Sequence, residues 1–308
     1  MNSEAQSAYG YSGEAVQVAH EVRRMWDGVG LTGGFAARNL NTGEELGFDA
    51  DVAYPLASVV KLPLALVTLD LIAKGELARD LCVELRPEDR TSGATGVSAY
   101  RHATTVALED LIYSMLALSD NAAADAVFDL VPPKRVTAAL SGWGCEGVVI
   151  RHPVRTLFDA IYAAAADERL ALELAIRATT GGGGHELPAL DVASASCGTA
   201  RGLVFVLDLI WTDRVSVPEA TERVRTLMAR QLTSNRMAPA LASDSVRVAS
   251  KTGTFFNLRH DVGVVSTVGG DRIAIAALTA SSVPALLQPE ADGAIGDAAR
   301  SAVDVLRL

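Results

Sequence analysis

A serine and a lysine three residues apart lie at the start of an apolar segment, residues 54–66. If a helix begins at Leu56 or Ala57, Ser58 lies in its first turn, where free backbone N–H groups favour developing negative charge. The spacing places Lys61 on the same face as Ser58. An apolar environment lowers the pKa of a lysine, so a neutral Lys61 amine can accept the serine proton. The pair predicts an activated nucleophile, although an ordinary helix start with a snorkelling lysine gives the same pattern.

Two further polar groups have residue types suited to proton transfer. Ser119-Asp120-Asn121 separates two apolar segments that are predicted to be helices, Leu108–Leu118 and Ala122–Leu130. A short polar loop at the edge of a core is a suitable place for chemistry, but the same residue types are the favoured helix caps. Near the C-terminus, Lys251-Thr252-Gly253 follows an alternating segment that predicts a strand.

The remaining elements predict how these groups are positioned. Strands are predicted near both ends of the chain and helices between them. The predicted strands are 35–40, 44–48, 246–250, 261–268 and 272–281, and the other predicted helices are 14–26, 136–140, 155–179, 200–211, 219–231 and 291–306. The stretch 77–100 is predicted to be irregular and 181–186 a surface loop. This order favours an α+β fold in which both chain ends form one antiparallel sheet, flanked by helices, with an inserted all-helical subdomain. We expect a sheet subdomain of residues 1–55 and 236–308, a mostly helical subdomain of residues 56–235, and an active site between them.

Composition limits the classes of partner. The chain has 308 residues, a net charge of −10 and 49% apolar residues, which is typical of a globular protein and argues against a nucleic-acid or membrane partner. Cys82, Cys145 and Cys197 are scattered without metal-ligand spacing, so no metal site and no cofactor are predicted. The first residues contain neither a basic nor an apolar leader segment, which favours a cytoplasmic monomer.

The three motifs together resemble those of a known protein family. Ser58-x-x-Lys61, Ser119-Asp120-Asn121 and Lys251-Thr252-Gly253 occur in the order typical of class A β-lactamases and penicillin-binding proteins. The resemblance extends from about residue 31 to the C-terminus, and it implies the fold of the class A-like serine β-lactamases.

The resemblance also implies roles for individual residues. Ser58 would be the acyl-accepting nucleophile and Lys61 its proton acceptor. Ser119 and Lys251 would pass a proton to the leaving amine, and the backbone N–H groups of Ser58 and Thr254 would form the oxyanion hole. The implied substrate-binding residues are Asn121, Thr252, Gly253 and Thr254, with a slot for a carboxylate along Lys251, Thr252 and Thr254.

Two positions depart from the family pattern or leave alternatives open. The E-x-x-L-N segment that supplies the deacylating glutamate in class A enzymes is absent, and Glu186 is the nearest candidate. Glu186 is interpreted either as that base or as a solvated loop carboxylate. Arg259, eight residues after Lys251, is either a clamp for the substrate carboxylate or an ordinary arginine at a strand end.

These observations predict a serine hydrolase that forms an acyl-enzyme with a small-molecule substrate. Hydrolysis of β-lactams is expected first, at a low rate because no deacylating base is recognised. An intracellular esterase or acyl-transfer enzyme of the same fold, as in natural-product biosynthesis, is the second hypothesis. A β-lactam-binding sensor without turnover is the third.

Overall fold

The structure is a computed structural model that describes residues 13–164, 173–176, 181–215, 217–283 and 287–307. Its main sheet contains five antiparallel strands in the spatial order β2-β1-β10-β9-β8. These strands are β1 (Leu31–Asn39), β2 (Glu45–Phe48), β8 (Val246–Phe255), β9 (Leu258–Thr267) and β10 (Arg272–Ser281). Because β1 pairs with β10 from Leu31↔Ser281 to Asn39↔Ile273, the two ends of the chain form one sheet, as predicted.

Helices and short strands form the segment between the two halves of this sheet. The helices of the fold are α1 (Gly13–Gly28), α2 (Lys61–Ala73), α3 (Leu108–Ala117), α4 (Asn121–Leu130), α5 (Pro133–Gly142), α6 (Arg155–Ala164), α7 (Ala200–Trp211), α8 (Pro218–Met228), α9 (Met237–Leu241) and α10 (Pro289–Leu306). Short strands form two small sheets, which contain β3 (Ala53–Pro55), β6 (Val148–Val149) and β7 (Cys197–Thr199) in one and β4 (Cys82–Leu85) and β5 (Thr104–Ala107) in the other. Within the described ranges, no helix is long and apolar enough to cross a membrane.

The main sheet separates two hydrophobic cores because successive side chains of a strand point to opposite faces. Phe35 and Ala37 pack with α1 and α10 on one face, where Trp26 contacts Phe35 with ring centroids 5.8 Å apart. Ala36, between them in β1, belongs to the core on the other face, which the inserted helices cover. On this second face α7 packs directly on β1 and β10, and α2 and the helix pair α3–α4 belong to the same core.

Several boundaries differ from the sequence-based predictions. β8 runs without interruption through Lys251-Thr252-Gly253, since ladder pairing with β9 continues from Val246↔Thr267 to Phe255↔Leu258. The stretch predicted to be irregular, 77–100, contains the strand β4. The predicted helix 155–179 is observed as α6, and most of its remainder lies outside the described residues.

Candidate active site

Ser58 lies in a 3₁₀ turn, Ala57–Val60, that leads directly into α2. Its side chain is half-buried and is preceded by Ala57, whose φ of 46° is rare for a residue with a side chain. Such strain occurs mainly where surrounding packing holds the backbone in place. Here β8 supplies that packing, because a Cβ at Gly253 would lie only 3.0 Å from the Leu56 carbonyl oxygen.

Lys61 is fully buried, and its amine lies at the centre of the hydrogen-bonded cluster. Its Nζ lies 3.2 Å from Ser58 Oγ and 3.3 Å from Ser119 Oγ. The same nitrogen donates to the Ser119 carbonyl oxygen at 2.6 Å and to Asn121 Oδ1 at 2.7 Å. Burial lowers the pKa of Lys61 to about 7, although the charges of Asp120 and Asp125 act in the opposite direction. The amine can therefore be neutral near physiological pH and accept a proton from Ser58.

Ser119, Asp120 and Asn121, at the junction of α3 and α4, make different contacts. Ser119 adopts a φ of 58°, a left-handed conformation, and its hydroxyl lies near the amines of both Lys61 and Lys251. Asp120 is the N-cap of α4, where its side chain accepts from Ala123 N. The capping interpretation is thus correct for Asp120 alone. Asn121 makes hydrogen bonds through both ends of its amide: Oδ1 accepts from Lys61 Nζ, and Nδ2 donates to the Ser92 carbonyl oxygen at 2.8 Å.

Lys251 extends from β8 and is fully buried. Its Nζ donates to Ser119 Oγ at 3.1 Å, to the Thr252 carbonyl oxygen at 2.9 Å and to Gln231 Oε1 at 3.1 Å. Burial lowers the pKa of Lys251 well below its ordinary value, and the charge of Lys61 lowers it further. Ser119 Oγ is therefore shared between two amines with lowered pKa values, which is an arrangement suited to proton transfer.

Thr252, Gly253 and Thr254 follow along β8, beside a buried arginine that the sequence did not single out. Arg236 Nη2 donates to Thr254 Oγ1 at 2.8 Å, and its Nη1 donates to the His260 carbonyl oxygen at 2.7 Å. Asp292 accepts from Arg236 Nε at 2.7 Å and fixes the guanidinium in place. Arg236 thus brings a positive charge to the strand that carries Lys251.

Arg259 makes hydrogen bonds within the turn between β8 and β9, and its role as a clamp for the substrate carboxylate stays a prediction. Arg259 Nη1 donates to the carbonyl oxygens of Phe256 and Leu258 in that turn. The hydroxyl of Thr254 accepts from Arg236 instead. Arg259 and Thr254 are directly paired residues of two neighbouring strands, a relation that sequence spacing alone did not reveal.

Glu186 is exposed, and it takes no part in the hydrogen bonds that join Ser58, Lys61 and Ser119. Its neighbour His185 is buried instead and accepts from Leu187 N at Nδ1. Both interpretations of Glu186, as the deacylating base and as a solvated loop carboxylate, stay predictions.

A small cavity of about 10 Å³ lies behind the serine turn, lined in part by Ala57, Val60, Pro153 and Leu157. Its volume is close to that of a single water position. His152 also lines it, but Nε2 of this ring accepts from Ser196 N at 3.1 Å and Nδ1 lies 3.0 Å from the Pro153 carbonyl oxygen. Burial lowers the pKa of His152, so the ring is held neutral with both nitrogens engaged.

A second histidine connects the sheet to the serine turn. His260 on β9 is fully buried, and Nε2 donates to the Pro55 carbonyl oxygen at 2.8 Å while Nδ1 accepts from Thr279 N at 3.0 Å. Burial lowers its pKa to about 3, so the ring is neutral. Pro55 lies three residues before Ser58, and His260 therefore connects β9 to the segment that leads into Ser58.

Similarity to known proteins extends over nearly the whole chain. Residues 17–306 match the model of the beta-lactamase enzyme family. The chain is 45% identical over 301 residues to the beta-lactamase regulatory protein BlaB of Streptomyces cacaoi, and the match covers 93% of this chain and 96% of BlaB.

Two solved structures show that the fold is shared over nearly the whole chain. A beta-lactamase from Sphaerobacter thermophilus has a TM-score of 0.75 at 21% identity, and the match covers 94% of this chain and 96% of that one. A single-residue mutant of PBP-A, solved as an acyl-enzyme complex with penicillin G, has a TM-score of 0.75 at 19% identity with 95% of each chain covered. Because the family match covers almost its entire length, the chain belongs to the beta-lactamase enzyme family.

Proposed function

We propose that this protein attacks the carbonyl carbon of a β-lactam through Ser58 and forms an acyl-enzyme. The observation that carries the proposal is the hydrogen-bonded sequence Ser58–Lys61–Ser119–Lys251, which joins three segments distant in the chain. A β-lactam amide contains both the electrophilic carbon and the leaving nitrogen that this arrangement can serve.

The proton movements follow from the positions of these groups. Neutral Lys61 accepts the Ser58 hydroxyl proton as Oγ bonds to the lactam carbon, and the oxyanion is stabilised by the backbone N–H groups of Ser58 and Thr254. When the ring C–N bond breaks, Ser119 gives its hydroxyl proton to the nitrogen and receives one from Lys251. The product is an ester at Ser58 with the ring-opened lactam still attached.

We further propose that this ester is hydrolysed slowly. Hydrolysis requires a base beside the attacking water. Among the described residues, Asp120 and Asp125 are the carboxylates whose charges act on Lys61, and each is engaged in fixing backbone: Asp120 accepts from Val97 N at 2.6 Å, and Asp125 accepts from Val154 N at 2.6 Å. His152 lines the cavity behind the serine turn, but both of its ring nitrogens already have hydrogen-bond partners.

A second candidate function is that of a β-lactam-responsive regulator in which persistence of the acyl-enzyme matters more than turnover. The observation that favours it is the 45% identity, over nearly the whole length of both chains, to a protein named as a beta-lactamase regulatory protein. Both candidates require acylation of Ser58, and they differ in the fate of the acyl-enzyme ester.

Small-molecule acyl esters that carry a carboxylate are the substrates to compare with β-lactams, because the leaving group of an ester needs less protonation than that of an amide.

The two candidates are separated by the kinetics of nitrocefin opening under excess substrate. We expect a burst of about one equivalent per chain followed by a slow steady phase, whereas a burst with no steady phase would favour the regulator. Steady turnover at roughly hundreds per second would contradict slow deacylation and establish an efficient β-lactamase. Ser58→Ala should abolish the burst, and a burst that survives this change would contradict the assignment of the nucleophile. Turnover of acyl esters with no reaction of nitrocefin would favour the esterase hypothesis instead.

A further inference from the structure

Gln231 makes contacts with the strand of Lys251 that no family motif assigns to it. It lies three residues beyond the end of α8. Its side-chain oxygen Oε1 accepts from Thr252 N at 2.8 Å and from Lys251 Nζ at 3.1 Å, with Thr252 Oγ1 at 3.4 Å. One neutral oxygen therefore holds both the amine of Lys251 and the peptide N–H of the residue that follows it.

The other end of the same amide fixes its orientation. Gln231 Nε2 donates to Ser250 Oγ at 3.3 Å, so the oxygen must face Lys251 and Thr252. Gln231 thus spans three consecutive residues of β8. Since Thr252 is buried, loss of this side chain would remove the acceptor of its peptide N–H.

The acceptors around Lys251 match the three N–H bonds of an ammonium group. They are Ser119 Oγ, the Thr252 carbonyl oxygen and Gln231 Oε1. The Thr252 carbonyl oxygen belongs to the backbone, and Ser119 is the proposed proton-transfer serine, so neither acceptor can be removed without a second effect. Gln231 is the acceptor that can be altered on its own, and it is a neutral one.

We propose that Gln231 is a positioning residue of the acylating site, which holds the Lys251 ammonium against Ser119 and fixes the Thr252 peptide through one amide oxygen. This inference rests on the proposed function, because it assigns Gln231 to the proton delivery by Lys251 and Ser119. A purely structural role would stabilise β8 without affecting how readily Lys251 gives up its proton.

The electrostatic surroundings of Lys251 make this distinction measurable. The charged groups that act on it are Lys61 on α2, Asp261 on β9 and Arg236 before α9. Lys61 and Arg236 lower the pKa of Lys251, whereas Asp261 raises it. An acceptor that bonds the charged form also raises the pKa, and a carboxylate at the same position would raise it further.

The chain has four lysines, Lys61, Lys74, Lys134 and Lys251, so NMR of protein labelled with ¹³C at the lysine Cε atoms can follow each one. Gln231→Leu should lower the pKa of Lys251, and Gln231→Glu should raise it by about one pH unit or more, because the new charge lies within hydrogen-bond distance. The titration is made on the unacylated protein, so it does not depend on β-lactam reactivity. An unmoved Lys251 titration in both variants would overturn the inference.

Acylation rates from pH 5 to 10 give the second readout. We expect Gln231→Leu to slow acylation by about 10-fold or more and to shift the alkaline limb to lower pH, while Gln231→Glu shifts that limb to higher pH. Leu232→Ala is the matched control, since the neighbouring side chain is 73% exposed, and it should leave rate and profile unchanged. If Gln231→Leu does not fold, the Glu variant decides the question alone. A wild-type protein that fails to acylate refutes the proposed function, whereas shifts of the Lys251 titration would still support the contacts assigned to Gln231.

Discussion

At the scale of single residues, we expect the buried amine of Lys61 to set the pH range in which Ser58 reacts. Burial lowers its pKa to about 7, so the neutral fraction that can accept a proton increases as the pH rises through that value. We predict that the acylation rate rises with pH through an apparent pKa near 7, and that the Lys61 signal of ¹³Cε-lysine NMR titrates over the same range. Because Lys61 and Lys251 share Ser119 Oγ, the two measured values belong to the pair. Lys251→Ala is the informative variant, as it removes the neighbouring charge and should move the rising limb to higher pH. A rate that is constant between about pH 6 and 9 would exclude Lys61 as the titrating base.

At the scale of elements, the close approach of β8 to the serine turn holds Ser58 in place. A Cβ at position 253 would lie 3.0 Å from the Leu56 carbonyl oxygen, 3.0 Å from Val59 Cγ2 and 3.2 Å from His260 Cδ2. Gly253→Ala should therefore push the turn away from the strand, lower the acylation rate by about 10-fold or more and destabilise the fold by about 1–3 kcal/mol. Gly293→Ala in α10 is the control, because a Cβ there meets nothing within 4 Å and should leave acylation unchanged. If Gly253→Ala is acylated at the wild-type rate, the contact between β8 and the turn is not required for reactivity.

At the scale of the whole molecule, His260 couples the stability of the fold to pH. Its pKa of about 3 lies below the value near 6.5 of an unfolded histidine, so between these values the unfolded chain binds a proton that the folded one does not. Stability therefore falls as the pH decreases from about 6.5 towards 3, by at most about 1.4 kcal/mol per pH unit for this one group. Urea unfolding of wild type and His260→Asn between pH 4 and 7 measures the difference, and the variant should show the shallower pH dependence. Exposed His20→Asn is the control. Equal slopes for wild type and His260→Asn would contradict a neutral buried ring.

The residues predicted from sequence were those whose type and spacing carry local information. Ser58 and Lys61 are three residues apart, and Ser119 precedes α4 by two residues while Asn121 begins it, so neighbouring positions in the chain were enough to group each pair. The antiparallel sheet of both chain ends followed from strand segments and hairpin-turn residues near both ends of the chain, and the pairing of β1 with β10 confirms it. The division into subdomains of residues 1–55 with 236–308 and 56–235 stays a prediction.

Residues that act through tertiary contacts had no comparable signal. Gln231 and Arg236 lie in the segment after α8, and each becomes relevant only because that segment passes beside β8. His260 contacts Pro55 across 205 positions of sequence. The two interpretations of Arg259 stayed open for the same reason, since its position opposite Thr254 depends on the register between β8 and β9.

Acylation of Ser58 is tested most directly by a pulse-chase measurement of intact protein mass with penicillin G. Wild type and Ser58→Ala are exposed to the drug, free drug is removed, and the mass is followed over time with peptide mapping of the adduct. We predict that the wild type gains the mass of one whole penicillin on the peptide containing Ser58, that this adduct decays slowly, and that Ser58→Ala gains none. An unmodified wild type at every time point, or an equal adduct on Ser58→Ala, would contradict the proposed acyl-enzyme.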